Sequence, residues 1–151
     1  MRGVLLVAFL LTLGCASEQE RSHTVKEEIR TALADGYLPR LARIYGGEEP
    51  SILDGWAAEK EISGIAKRVE ELDLQGRRLE PALREVTLEE VNVWSHSNAY
   101  VTTLEVWDLR VYNTGTHALL SESIGKRDRV KYQLKRADGG DWIVLFRQLV
   151  E

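Results

Sequence analysis

The chain has 151 residues and a mass of 17.1 kDa, which is enough for one domain with a sizeable core. Hydrophobic residues make up 44% of the chain and charged residues 29%, a balance typical of globular proteins that excludes a disordered tail or a collagen-like fibre. The net charge of −4 argues against a nucleic-acid-binding protein, and the single cysteine excludes an intramolecular disulfide and any multi-cysteine metal site.

The first residues have the pattern of a secretory signal peptide. Arg2 supplies a positive charge ahead of the uncharged run Val4–Leu13. This run is too short for a membrane-spanning helix, which needs about 20 apolar residues. We therefore expect residues 1–14 to be a signal peptide that is removed from the mature protein.

The apolar run ends in Thr12-Leu13-Gly14-Cys15, which resembles the lipobox of bacterial lipoproteins. The resemblance implies cleavage after Gly14 and acylation of Cys15 with diacylglycerol and a further fatty acid such as palmitate. Two or more acyl chains are sufficient for stable membrane attachment. The alternatives are an ordinary secretory signal and a buried N-terminal helix with a chance cysteine.

This N-terminus predicts a protein of the cell envelope that is attached to the membrane through its lipid anchor. Ala16, the residue after the cysteine, is compatible with the periplasmic face of the outer membrane in a Gram-negative bacterium. Residues 15–22 are predicted to be the lipidated cysteine and a polar tether. Residues 23–151 are predicted to form a single α+β domain.

Helical periodicity fills the first half of this domain. The pattern predicts a helix over His23–Leu33, ended by Asp35-Gly36, and a second helix from Pro39 to the glycine pair after Tyr45. A third helix is predicted from Pro50 to Leu72, with apolar residues at three- and four-residue steps.

In the second half of the domain, apolar and polar residues alternate with a period of two, as in β-strands. After Pro81 the phase slips at Glu89-Glu90, and it slips again within the predicted long strand Ala99–Tyr112, as expected for β-bulges. A third strand is predicted over Lys126–Arg136 and a fourth over Asp141–Val150, joined by a turn at Asp138-Gly139-Gly140. The fourth strand has apolar residues in both phases, so we expect it to be covered on both faces.

These elements predict an α+β fold in which N-terminal helices pack on a curved antiparallel sheet of about four long strands, forming a cone. The segments Ala34-Asp35-Gly36 and Asp138–Val144, with the bulged central strand, resemble the nuclear transport factor 2-like (ketosteroid isomerase-like, cystatin-like) superfamily. The order of Trp56, the long helix and the strand Lys131-Tyr132-Gln133-Leu134 also resembles the non-enzymatic domain of plastid-division and mitochondrial-import scaffolds. The superfamily contains isomerases, dehydratases and inert scaffolds, so the fold does not select a function.

Asp108 is the candidate acid or base. It follows Trp107 in an apolar stretch, where burial would raise its pKa. Enzymes of the ketosteroid isomerase type use an aspartate base near a tyrosine, and Tyr100, Tyr112 and Tyr132 are available in the predicted strands. The alternative, which we favour, is a structural aspartate that binds backbone at a bulge or pairs with Arg110.

Several aromatic side chains occur in elements that should line the cone. They are either ordinary core residues, which we favour, or the lining of an apolar pocket at the open end of the cone. The residues that would bind a ligand in the second case are Trp56, Trp94, Tyr100, Trp107 and Tyr132.

A row of basic residues on the third strand is a candidate docking stripe. The alternative, which we favour, is a solvated face balanced by acidic residues of the neighbouring strands. The basic residues are Arg129, Lys131 and Lys135, and the acidic residues expected to balance them are Glu85, Glu89 and Glu105.

No motif predicts a metal or a cofactor. The three histidines have no metal-ligand spacing, and the glycines form no phosphate- or dinucleotide-binding pattern. Two functions remain: a lipid-anchored envelope module that binds a protein partner or an apolar small molecule without catalysis, or a small isomerase or dehydratase that uses Asp108. We expect the first, because the mature sequence provides few groups suited to acid–base chemistry.

Overall fold

A computed structural model describes residues 8–136 and 140–150, with side chains from Glu18 onward. The start of the signal peptide, the Cys15 side chain and the predicted turn residues Asp138 and Gly139 lie outside this description. Helices pack against one face of a four-stranded antiparallel sheet, as the α+β prediction requires. Among the described residues, no helix combines the length and the apolar character needed to cross a membrane.

The helical layer begins with α1, which spans Ala8–Thr31. It continues without interruption into a π-helical turn, Ala32–Tyr37, and then into α2, Leu38–Tyr45. This helix passes through residues 15–22, for which the sequence predicts a polar tether.

The prediction that a helix ends at Asp35-Gly36 was wrong, because the helical segment continues through both residues. Gly36 is buried, and a Cβ atom there would lie 2.0 Å from Cζ3 of Trp56. The glycine therefore permits a close approach by the Trp56 ring inside a continuing helical segment, instead of reversing the chain.

The predicted third helix is divided. A short 3₁₀ turn, Pro50–Leu53, is followed by Gly55 in a left-handed conformation (φ +79°), and α3 then spans Glu59–Leu74. Trp56 consequently lies in the connection, where the backbone at residues 56–58 hydrogen-bonds to Val144.

The sheet has the order β1-β2-β3-β4, with β1 Arg77–Trp94, β2 Asn98–Asn113, β3 Leu119–Lys135 and β4 Ile143–Val150. The phase slip predicted at Glu89-Glu90 is confirmed as a register shift between Leu88 and Glu90 of β1. The slip predicted within β2 was wrong, because every second residue from Ala99 to Trp107 is buried without a change of phase. The register shift at Trp107/Leu109 instead places the extra residue in β3, between Ser123 and Lys126. β1 and β3 begin earlier than predicted. β1 tolerates Pro81 because it is an edge strand.

β4 is covered on one face only, which contradicts the sequence prediction. Phe146 is 49% exposed and Leu149 is 53% exposed, whereas Val144 is buried opposite Leu134. The reason is that β4 lies at the edge of the sheet, and the helices cover only its concave side.

The core lies between the helices and the concave face of the sheet. Its buried side chains come from both layers: Ile29, Leu33, Tyr37, Leu38, Leu41 and Ile44 from the helices, and Val101, Trp107, Val130, Tyr132, Leu134 and Val144 from the sheet, with Trp142 beside β4.

Candidate functional site

A carboxylate lies at the centre of the concave face. Glu105 of β2 is fully buried. It accepts hydrogen bonds from Trp107 Nε1 (2.9 Å), from Thr103 Oγ1 (3.1 Å) and from the Tyr132 hydroxyl of β3. Its charge is met by Arg147 of β4, whose Nη2 lies 3.1 Å from Oε2.

Arg147 completes this buried cluster because β4 places it directly opposite Tyr132. Its Nε donates to the Tyr132 hydroxyl oxygen at 3.2 Å, so the hydroxyl accepts from Arg147 and donates to Glu105. Burial by itself lowers the pKa of Arg147, but Tyr132 and Glu105 outweigh it and raise that pKa. The guanidinium therefore remains charged, and the cluster is a satisfied ion pair.

A second buried tyrosine extends the cluster into the helical layer. The Tyr37 hydroxyl donates to Glu61 Oε1 at 2.7 Å, and its ring meets that of Tyr132 edge-on at 6.1 Å. Burial raises the pKa of both tyrosines well above the ordinary value, and the carboxylate beside each one raises it further. Both hydroxyls are consequently neutral donors at physiological pH.

The space left inside the cone is small. A cavity of about 100 Å³ lies beside Trp107 and Arg147, between α2 and the sheet, and is bounded by Tyr45, Leu79 and the ion pair of Lys126 with Asp128. This volume corresponds to about three water molecules at roughly 30 Å³ each. Ligand pockets usually occupy about 300–1,000 Å³.

A larger opening lies at the rim, between α1 and the segment that enters β4. We call it the rim cleft; it measures about 760 Å³. The described residues that line it are His23, Thr24, Glu27, Glu28, Thr31, Ala32, Trp56, Arg136, Gly140, Asp141 and Trp142.

Arginines hold the two tryptophans of the rim cleft. Arg136 lies 4.7 Å above the Trp142 ring, and its Nη1 is 2.6 Å from Glu28 Oε2. The guanidinium of Arg40 lies 4.3 Å from the Trp56 ring centroid. Trp56 is therefore the half-buried aromatic wall of the cleft, whereas Trp142 is 3% exposed and holds Arg136 in place from the core.

Asp108 does not point into the cone. Trp107 and Leu109 both line the inner cavity, so the residue between them faces the outer side of the sheet. Its carboxylate accepts from the Gly125 backbone N–H (2.9 Å) and from Arg84 Nε (2.6 Å). The Gly125 hydrogen bond, followed by the influence of Arg84, lowers the pKa of Asp108. The expected rise in that pKa was therefore wrong.

The structure divides the five predicted aromatic residues among three places. Trp107 and Tyr132 are buried in the core, and Trp56 is a half-buried wall of the rim cleft. Trp94 and Tyr100 stack at 4.6 Å on the outer face, so the expectation that they line the cone was wrong. The reason is strand parity, since Ala99 and Val101 occupy the inward positions of β2.

The charges of the basic row are partly balanced across strands as expected. Arg129 forms a bidentate pair with Glu89 at 2.7 and 3.1 Å. Glu105 was wrongly placed on that outer face. Glu105 lies an even number of positions from Val101 and Trp107, so the alternation of β2 places all three side chains on the same, inner face. From the sequence alone the outer face was expected, because a glutamate is rarely fully buried unless it is paired.

No family model matches the chain, and no curated protein matches its sequence. The fold is similar to the intermembrane space region of the chloroplast protein ARC6, with a TM-score of 0.65 and 11% identity over 81% of this chain and 93% of that one. It is also similar to a structure from Catenulispora acidiphila in complex with S-DNPA, with a TM-score of 0.50 and 11% identity over 84% of this chain and 92% of that one. At this identity the likeness shows the fold alone.

Proposed function

We propose that this protein is a lipid-anchored binding module of the cell envelope, built on a nuclear transport factor 2-like cone and acting without catalysis. The rim cleft is its binding site, for an envelope protein or an apolar small molecule. The observation that carries the proposal is this open cleft of about 760 Å³, in which the half-buried ring of Trp56 lies among the polar side chains of His23, Glu27 and Arg136.

The chemistry of the cleft suits recognition. Tryptophan and arginine are the side chains that most often dominate binding energy at interfaces. Here the half-buried Trp56 is oriented by the stacked Arg40, and Arg136 is held by Glu28 and by the ring of the buried Trp142. Little side-chain freedom therefore remains to be lost on binding.

The interior of the cone supports the same proposal. The cavity beside Trp107 and Arg147 measures about 100 Å³, which is smaller than the roughly 300–1,000 Å³ of most ligand pockets. The central carboxylate, Glu105, is engaged by four donor side chains. A general base must instead reach a substrate proton.

The lipid anchor at Cys15 gives the module its position. Because the α1 backbone is helical from Ala8, the first buried residue, Ile29, lies about 20 Å along the helix from Cys15 at 1.5 Å per residue. The rim cleft, which includes His23 and Glu27, is held between these two points, within reach of other membrane-associated components.

The test uses the full chain in bacterial envelopes, with a photocrosslinking amino acid at His23 in the cleft or, as a matched control, at the exposed Thr116 in the distant turn. We expect a discrete adduct from position 23, identified by mass spectrometry, that is lost with Arg136→Ala and retained with Asp108→Asn. The same mass spectrometry measures the mass of the Cys15 peptide and so shows whether Cys15 is acylated. Equal labelling from both positions would overturn the binding site, and an unmodified Cys15 would overturn the anchor.

A further inference from the structure

The outer face of the sheet ends in a distinct surface beside the β1–β2 turn. The strand register places two rows of directly opposed residues there, which we call the turn-end surface. The rows are Trp94, Asn98, Lys135 and Ile143, and Asn92, Tyr100, Gln133 and Phe146.

Three aromatic side chains of this surface are exposed together. Trp94 is 39% exposed, Tyr100 is 53% exposed and Phe146 is 49% exposed. Trp94 and Tyr100 stack on each other, which holds both rings against the sheet. Tryptophan and tyrosine prefer the membrane–water interface, because one end of the ring system is apolar and the other forms hydrogen bonds.

The charge of the turn-end surface fits an anionic partner. Its two rows contain Lys135 and no carboxylate; the carboxylate of Glu90 belongs to the next row. Arg136 lies at the margin, where its Nε donates to the His96 carbonyl oxygen at 3.0 Å, but its charge is paired with Glu28. A lysine or arginine near an anionic lipid surface contributes about 1 kcal/mol to binding.

The surface lies at the end of the molecule from which α1 leads to the proposed anchor. Helix residues Glu18 to Lys26 face the strand end at Val91 to His96 across a cleft of about 650 Å³. From Ser22, which lines this cleft, the helix reaches Cys15 after about 10 Å. An acyl chain on Cys15 would therefore hold the turn-end surface close to the lipid headgroups, at high local concentration.

We propose that the turn-end surface is a second membrane contact, in which Trp94, Tyr100 and Phe146 enter the headgroup region of a bilayer that contains anionic phospholipid. This inference rests on the proposed anchoring at Cys15. A domain held at two points lies on the membrane in one orientation, which presents the rim cleft to components of the same bilayer.

The test places the full lipidated protein in vesicles of phosphatidylcholine and phosphatidylglycerol, with or without brominated acyl chains that quench tryptophan. We expect bromination to reduce the fluorescence of the wild-type protein. Trp94→Phe should abolish this quenching while it preserves the aromatic stack, and the matched control Trp56→Phe should retain it. For the non-lipidated Cys15→Ser chain, Lys135→Gln should weaken binding to the same vesicles about fivefold.

Equal quenching of the wild-type protein and Trp94→Phe would overturn the inference. A crosslinker placed at position 146 gives a second test. If it links two copies of the chain, or the chain to another protein, when no vesicles are present, the surface is a protein interface and the inference is overturned. The mass of the Cys15 peptide separates this failure from that of the anchor. If Cys15 is not acylated, brominated vesicles are added to the Cys15→Ser chain. Quenching of its tryptophan fluorescence then shows that the surface binds lipid, and unchanged fluorescence shows that it does not.

Discussion

At the scale of single residues, the notable group is Glu105. A buried carboxylate is costly unless it is paired and hydrogen-bonded, and here four donor side chains meet it. Such a pair contributes less to net stability than its number of contacts suggests, because both charges lose their hydration. Removal of one partner is more damaging than removal of both.

We therefore expect Glu105→Gln to lower the free energy of unfolding by up to about 3–5 kcal/mol, because it leaves the largely buried charge of Arg147 (side chain 20% exposed) without a counter-charge. Urea denaturation measures the loss. Glu89→Gln, which removes an exposed partner of Arg129, should have a much smaller effect. The double variant Glu105→Gln with Arg147→Met should recover part of the stability. A loss no larger than that of Glu89→Gln would show that the cluster does not require its charge.

At the scale of elements, the π-helical turn Ala32–Tyr37 joins two helices without a loop. Insertions of this type in helices are often retained at functional sites. Here the turn buries Gly36 under the Trp56 ring, so that a helical segment and a loop residue form one wall of the rim cleft.

Gly36→Ala should displace the Trp56 ring, because the new methyl group would lie 2.0 Å from Cζ3. We expect a loss of about 1–3 kcal/mol in the free energy of unfolding, as for other overpacked sites, together with a change in tryptophan fluorescence. Gly64→Ala in α3 is the matched control. Nothing lies within 4 Å of the added atom, so this variant should gain up to about 1 kcal/mol. Unchanged stability and fluorescence in Gly36→Ala would contradict the packing described.

At the scale of the whole molecule, Tyr37 and Tyr132 connect the helical layer to the sheet. Their pKa values are raised in the folded protein, chiefly by burial. A folded-state pKa above the unfolded value means that the folded protein keeps its protons longer. The resulting stability is fully present below about pH 10 and is lost as the pH rises above it.

The fold should consequently unfold cooperatively in alkali. We expect the free energy of unfolding to fall as the pH rises above about 10, and the ultraviolet signal of tyrosinate from the buried pair to appear with unfolding. Tyr132→Phe should lower stability at neutral pH and make the alkaline decline shallower. Tyr100→Phe, which removes an exposed hydroxyl, should leave both unchanged. Identical alkaline profiles for Tyr132→Phe and the wild-type protein would contradict this account.

The sequence by itself determined the α+β class, the order of helices and strands, and the β-bulge of β1 at Leu88/Glu90. These properties follow from local periodicity, because a bulge moves apolar residues from one phase to the other. The end of α2 after Tyr45 was also predictable from local sequence, because the glycine pair Gly46-Gly47 follows it. The lipidation of Cys15 remains a prediction from the sequence alone.

Only the tertiary structure decided which face of each strand lies inside and which side chains meet. Trp94 and Tyr100 belong to the outer face, and Glu105 to the core, because β2 buries the parity that includes Val101 and Trp107. The hydrophobicity of single residues favoured the opposite assignment. Two partners of Glu105, Thr103 and Trp107, are its neighbours in β2, but Tyr132 and the counter-charge of Arg147 are 27 and 42 residues away in the chain. The local pattern therefore could not show that a charge buried at this position would be paired.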